Sequence, residues 1–197
     1  MQEIIETHLN RSISIRKSIL DHHSGQIQLA AGILVKTLKE NKKLMFCGNG
    51  GSAADAQHIA AELLIRYKGN HNRPSLPAIS LAADSSVLTA AGNDFGAEQI
   101  FSRQIEGLGS SGDTLIAITT SGNSPNIINA IKTANEKKIN VILLTGGDGG
   151  VIIKNHNSIL DLAIVIPAEE TAHIQEAHIM IGHILCALIE KEMFNLG

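Results

Sequence analysis

The sequence predicts an α/β fold, with a five-stranded parallel sheet sandwiched between two layers of helices. Three observations lead there. Five short apolar runs are continuous rather than alternating, as in strands buried on both faces. Stretches of helical periodicity fill the gaps between them. Three of the runs end in small, polar, glycine-containing loops, where open parallel sheets place their ligands.

The elements follow in order. Residues 3–22 place Ile4, Ile5, His8, Leu9, Ser12, Ile15 and Ile19 at helical spacing. Residues 26–40 repeat the pattern with Ile27, Ala30, Ala31, Leu34, Val35 and Leu38. Two amphipathic helices are therefore expected, an N-terminal extension over 1–40 of one domain spanning 1–197. Strands are expected at Leu44–Cys47, Ala78–Leu81, Thr114–Thr119, Asn140–Thr145 and Ile159–Ile166. Helices are expected at 53–66, 84–91, 125–138 and 170–193.

Composition narrows the function classes. Apolar residues make up 44% and charged residues 18% of the 197, a globular balance. Net charge is −3 and the basic residues are scattered, so no nucleic-acid face is expected. No signal pattern or run of about 18 apolar residues is read, so no membrane segment is expected. Cys47 and Cys186, both within apolar segments, read as buried reduced thiols of a cytoplasmic protein.

Two loops carry the chemistry. TTSGNSPN presents Thr119, Thr120, Ser121 and Ser124 around Gly122. Ser124 suits an N-cap and Pro125 the first helical position, so the helix dipole favours an anion such as phosphate there. GNGGSAA fits the dinucleotide pattern G-x-G-x-x-A, but Asp84 lies too far on to be its ribose-binding acid. Ser52 with Asp55 also reads as a capping-box-like helix start. TGGDGG, at 145–150, reads as a connecting turn.

His58 and Glu62 are four apart on one helix face, fit either to hold a metal or move a proton, or to be a solvated pair. The last helix is apolar on most sides yet carries Gln175, Glu176, His178 and His183, which need partners if buried. Spacing leaves open whether Gln175 or Glu176 neighbours His183. Asn93 and Asp94 read either as a helix C-cap turn at Gly92–Asn93 or as a polar pair aimed at a sugar.

Together the blocks CGNGGSAADAQHIAAEL, RPSLPAISL, GNDFG, IFSRQIE, GDTLIAITTSGNSPN, LTGGDGG and IQEAHIMIGHILCALIEKE resemble the sugar isomerase (SIS) domain family. Within it the resemblance is to the phosphoheptose isomerases, over nearly the whole chain. It implies a flavodoxin-like sandwich and aldose–ketose isomerisation of sedoheptulose 7-phosphate, feeding lipopolysaccharide heptose. It also implies homotetramers with active sites between subunits. Thr119, Thr120, Ser121 and Ser124 match the phosphate loop, and Asn49, Gly50, Gly51 and Ser52 the loop on the sugar. Asn93 and Asp94 match substrate-binding positions, and Arg66 matches a family arginine. His58, Glu62, Gln175 and His183 match the set holding one zinc ion per subunit, with Glu62 and His183 as catalytic base and acid. One departure is visible: His173 stands where the family pattern has arginine.

A competing class is a non-enzymatic relative that associates with the replication initiator DnaA. It shares the fold but lacks the Glu and the final His of the set. Both Glu62 and His183 are present here, which favours the enzyme. A sugar-phosphate-sensing regulator domain would need a helix-turn-helix ahead of the sheet, and none is read. A dinucleotide dehydrogenase would leave TTSGNS and the His/Glu set unexplained.

Overall fold

The structure, a computed structural model, describes residues 1–196. The chain runs α1 (Gln2–Lys39), β1 (Leu44–Gly48), α2 (Gly51–Leu64), β2 (Ala78–Ser80), α3 (Ser85–Phe95), α4 (Ser102–Leu108) and β3 (Thr114–Ile118). It continues through α5 (Pro125–Glu136), β4 (Asn140–Gly146), α6 (Gly150–His156), β5 (Leu162–Ile166) and α7 (Thr171–Phe194). All strand pairs are parallel and the spatial order is β2-β1-β3-β4-β5. That is the flavodoxin-like order, with its switch point between β1 and β3.

Alternate strand residues feed two cores. Leu44, Phe46, Ile116, Ile118, Ile142 and Leu144 point to the layer of α1, α2 and α7. Met45, Cys47, Leu115, Ala117, Val141 and Leu143 point to α4, α5 and α6. Both cysteines are buried and free, and burial pushes each thiol up to about 12.

Several expectations change. The two N-terminal helices are one unbroken helix of 38 residues. Gly25 is exposed with open space around it, and Ser24 bonds back to the Leu20 carbonyl, so the HHSG stretch stays helical. The 84–91 helix extends to Phe95, so Asn93 and Asp94 are helical and Gly96 is the cap, at φ 90°. Helix α2 begins two residues early, with Gly50 as N-cap, so Ser52 lies buried inside the helix rather than capping it. The fifth strand starts at Leu162, because residues 157–159 form a short 3₁₀ turn.

Against the expectation of no membrane segment, helix α7 is long and apolar enough to cross a membrane by length and composition, although its apolar residues form no unbroken run. Half of its most apolar stretch is buried within the fold, where Ile174, Ala177, Ile181, Leu185 and Ile189 enter the core.

Candidate active site

The crossing of α2 and α7 builds the site, and two glycines make it close. Gly182 on α7 faces Ile59 on α2, and a Cβ there would come 2.6 Å from Ile59 Cδ1. Without that atom the helices approach until the flanking residues meet. His58 Nε2 then lies 2.8 Å from His183 Nε2, with the rings edge-on at 81°. Glu62 Oε1, one turn on, is 3.5 Å from His58 Nε2. At the other end, Gly51 lies beneath the Gln175 amide, with no room for a side chain between them. Gln175 reaches the glycine turn and makes no hydrogen bond to His58 or His183. Glu176 turns away to α1, accepting from Ser12 Oγ at 2.9 Å and sitting 2.8 Å from His8 Nε2.

The end of α2 is held by a buried arginine that sequence reasoning missed. Arg73 donates to the carbonyls of Glu62 (2.8 Å) and Leu63 (2.9 Å), groups the helix end leaves unpaired. Its Nε also donates to Glu190 of α7 at 2.7 Å, and His71 Nδ1 lies 2.6 Å from the same carboxylate. Burial pushes the Glu190 carboxyl up, but the bonds from Arg73, His71 and the Tyr67 N–H outweigh it and hold the group below its ordinary range. Tyr67 stacks beside His183 at 5.8 Å, and its phenol is pushed up by burial, then by Cys186, Glu62 and Glu190. The only sequence signal for this brace was Arg73-Pro74, charged and rigid, between a helix and a strand.

The two loops flank the switch point. Asn49 and Asn126 exchange amide hydrogen bonds of 2.9 and 2.8 Å, tying the β1–α2 turn to the start of α5. A cleft of about 480 Å³ opens beside them, lined by Asn49, Glu98, Ser124 and Asn126 among others. Ser124 is the α5 N-cap and Pro125 its first residue, as expected, although no side-chain bond completes the cap. Thr119 Oγ1 is 3.4 Å from Ser124 Oγ, and Ser121 Oγ accepts from the Asn123 N–H. TGGDGG does more than connect. Gly122, at φ 64°, abuts the Gly149 carbonyl with no room for a Cβ, and Asn123 Oδ1 accepts from the Val151 N–H at 2.8 Å. The glycine loop therefore buttresses the hydroxyl loop.

Three predicted residues stand apart. Asn93 and Asp94 are exposed and bond to each other at 2.8 Å, and Arg66 is exposed after the end of α2. None makes a hydrogen bond or ion pair to the His58 cluster.

The donor set suits zinc, which takes imidazole nitrogen and carboxylate oxygen. Two ring nitrogens and one carboxylate gather at His58, and the facing Nε2 atoms are nitrogens that either share a proton or bind an ion. The fit is by donor type and by the two distances to His58 Nε2, 2.8 Å from His183 and 3.5 Å from Glu62.

The SIS domain family profile matches residues 7–146. The phosphoheptose isomerase of Sulfurimonas denitrificans is 46% identical over 199 aligned residues, covering 100% of this chain and 99% of the relative. That of Leptospira biflexa is 48% identical over 193, covering 98% and 97%. Among solved structures, a phosphoheptose isomerase from Neisseria gonorrhoeae superposes with a TM-score of 0.89 at 41% identity, covering 96% of this chain and 98% of its own. One from Francisella tularensis gives 0.91 at 37%, with the same coverage.

Proposed function

The chain belongs to the SIS-domain family, among the phosphoheptose isomerases, and on that footing we propose that it isomerises D-sedoheptulose 7-phosphate to D-glycero-D-manno-heptose 7-phosphate. The reaction runs through an enediol in the cytoplasm and supplies ADP-heptose for the lipopolysaccharide core. The observation that carries the reading is the meeting of Glu62, His58 and His183 at the α2–α7 crossing, beside a hydroxyl-rich loop at the sheet's switch point. A DnaA-binding role draws no support from relatives that share 46% and 48% identity over the whole chain.

In this reading Thr119, Thr120, Ser121 and Ser124 hold the phosphate, aided by the α5 N-terminus. Asn49, Gly50, Gly51 and Ser52 hold the sugar, and Asn93, Asp94 and Arg66 complete its binding. Glu62, anchored through its own carbonyl by Arg73, takes the proton from the carbon next to the carbonyl. His183 donates to the carbonyl oxygen, which gives the enediol; Glu62 then delivers its proton to the former carbonyl carbon while His183 takes the proton of the neighbouring hydroxyl, which becomes the new carbonyl. His58, Glu62, Gln175 and His183 would hold a zinc ion, which would supply polarisation of the substrate carbonyl.

The outlying positions of Asn93, Asp94 and Arg66 fit sites completed by a second subunit. So does the exposed apolar face of α1, with Ile5, Leu9 and Ile13 more than half exposed, and Ile65 at the end of α2. The assembly proposed is a homotetramer, and a monomer in sedimentation at assay concentration would remove it.

The decisive test incubates the chain with sedoheptulose 7-phosphate and reads the aldose product. Chelation should abolish turnover and zinc restore it. Glu62→Gln should fold and bind substrate but lose about 10²–10⁴-fold in rate. No product after zinc is restored defeats the isomerase reading; full turnover in Glu62→Gln defeats the base assignment alone.

A further inference from the structure

A second cluster of metal-binding side chains lies where α1 meets the start of α7, and the proposed isomerisation does not use it. His8 comes from α1, and His173 and Glu176 from α7. Among the described residues this is the one set of three His, Cys or carboxylate side chains whose ligand atoms all lie within 4.8 Å of one another. His8 Nε2 is 2.8 Å from Glu176 Oε1, and His173 Nδ1 is 3.6 Å from Glu176 Oε2. The two imidazoles face each other with centroids 4.2 Å apart.

One feature argues for a ligand rather than a chance cluster. His173 is only 2% exposed, yet its Nδ1 has no hydrogen-bond partner. A buried ring nitrogen without a partner is costly, and here it is aimed at a carboxylate too far away for a hydrogen bond. Two open clefts meet at His173. One of about 790 Å³ runs along Ser14, Gly147 and Asp148, and one of about 440 Å³ along Glu3, Thr7 and His8. An ion therefore has an entry path and room for water in its remaining positions.

We propose that His8, His173 and Glu176 form a binding site for a first-row divalent transition ion, which clamps the exposed N-terminal turns of α1 onto α7. Two imidazoles and one carboxylate favour zinc, cobalt or nickel over magnesium or calcium, which prefer all-oxygen sites. The clamp grips α7 at residues that flank Gln175, the side chain resting on Gly51.

The test uses the untagged full chain and Co²⁺ alone as probe. His58→Ala breaks the cluster at the α2–α7 crossing. That variant should still retain one Co²⁺ per chain after gel filtration, with visible absorption bands from the ion. Adding His8→Ala, at an exposed position that leaves the helix intact by circular dichroism, should remove that equivalent. Excess Zn²⁺ should displace the ion and excess Mg²⁺ should not. His58→Ala with no bound Co²⁺, or the double variant retaining it, overturns the proposal. Where wild type holds two Co²⁺ equivalents, the one lost in His58→Ala belongs to the other cluster and the one that remains is the ion assigned to His8, His173 and Glu176.

Discussion

Gly51→Ala separates the site's geometry from the fold's stability. Gly51 opens α2 and is not among the glycines at positive φ, so alanine meets no backbone strain there. Alanine is the better helix former, by about 0.5–1 kcal/mol in a helix interior and less in the first turn. The added Cβ, however, lies 2.5 Å from Gln175 Nε2 and 2.8 Å from its Oε1, where ordinary contact begins at 3.4 Å. The amide must retreat by about 1 Å, a displacement on the scale that costs on the order of 10²-fold in rate at a reacting centre. Thermal unfolding should show a melting temperature unchanged or slightly raised. Initial rates with sedoheptulose 7-phosphate should fall by about 10²-fold. Gln175→Ala should lose a similar amount, and the double variant should be no worse than Gln175→Ala, because both changes remove one interaction. Full activity in Gly51→Ala, or losses that multiply in the double variant, would refute the argument that Gly51 acts by seating Gln175. A sharp fall in melting temperature would refute the claim that the position is free of strain.

Two further predictions concern buried ionisable groups. Glu190→Gln leaves the Arg73 guanidinium buried without its counter-charge and should destabilise by about 3–5 kcal/mol in denaturant titration. Because the wild-type carboxyl is held below its ordinary 4.5, its contribution is complete above that value and should disappear only as pH falls through the lower folded value. His178 is buried and keeps a 3.2 Å bond to the Thr145 carbonyl; burial pulls its pKa from 6.5 down to about 4, partly offset by that bond. Unfolding therefore takes up a proton between those limits: stability should be greatest above pH 6.5 and fall by about 3 kcal/mol as pH drops to 4. His178→Gln should flatten that slope, and an unchanged slope would exclude His178 as its source.

The parallel sheet was legible because its strands are continuous apolar runs, and all five were found to within three residues at each end. The hydroxyl loop was legible because Ser-Pro marks a helix start whatever lies around it. Helix continuity through HHSG was not, since a lone glycine weakens a helix without breaking it. Ser52 misled because a capping residue and a buried helical serine look alike until the helix start is known. The partners of α7 were left undecided because Gln175 and Glu176 are adjacent, about 100° apart around the axis. Only packing sends one to Gly51 and the other to His8 and Ser12. The Arg73–Glu190 pair was invisible, as its members are 117 residues apart and charge alone predicts exposure.

That pair shows how the geometry of the proposed site depends on residues outside it. The α2–α7 crossing has two close contacts, Gly51 on Gln175 and Ile59 on Gly182. Contacts between packed helices fix distance well, but they permit sliding along the ridges. Arg73 removes that freedom at one end, since a single guanidinium bonds the last carbonyls of α2 and the Glu190 carboxylate of α7. A slide of either helix would stretch a buried, charge-assisted bond, the kind least tolerant of misalignment. Glu62 supplies one of those carbonyls, so the backbone of the proposed base is fixed directly while its carboxylate stays free to move a proton. The open end of the crossing, at Gly51, is left without such a brace. Small displacements should therefore be absorbed at Gln175 before they reach Glu62.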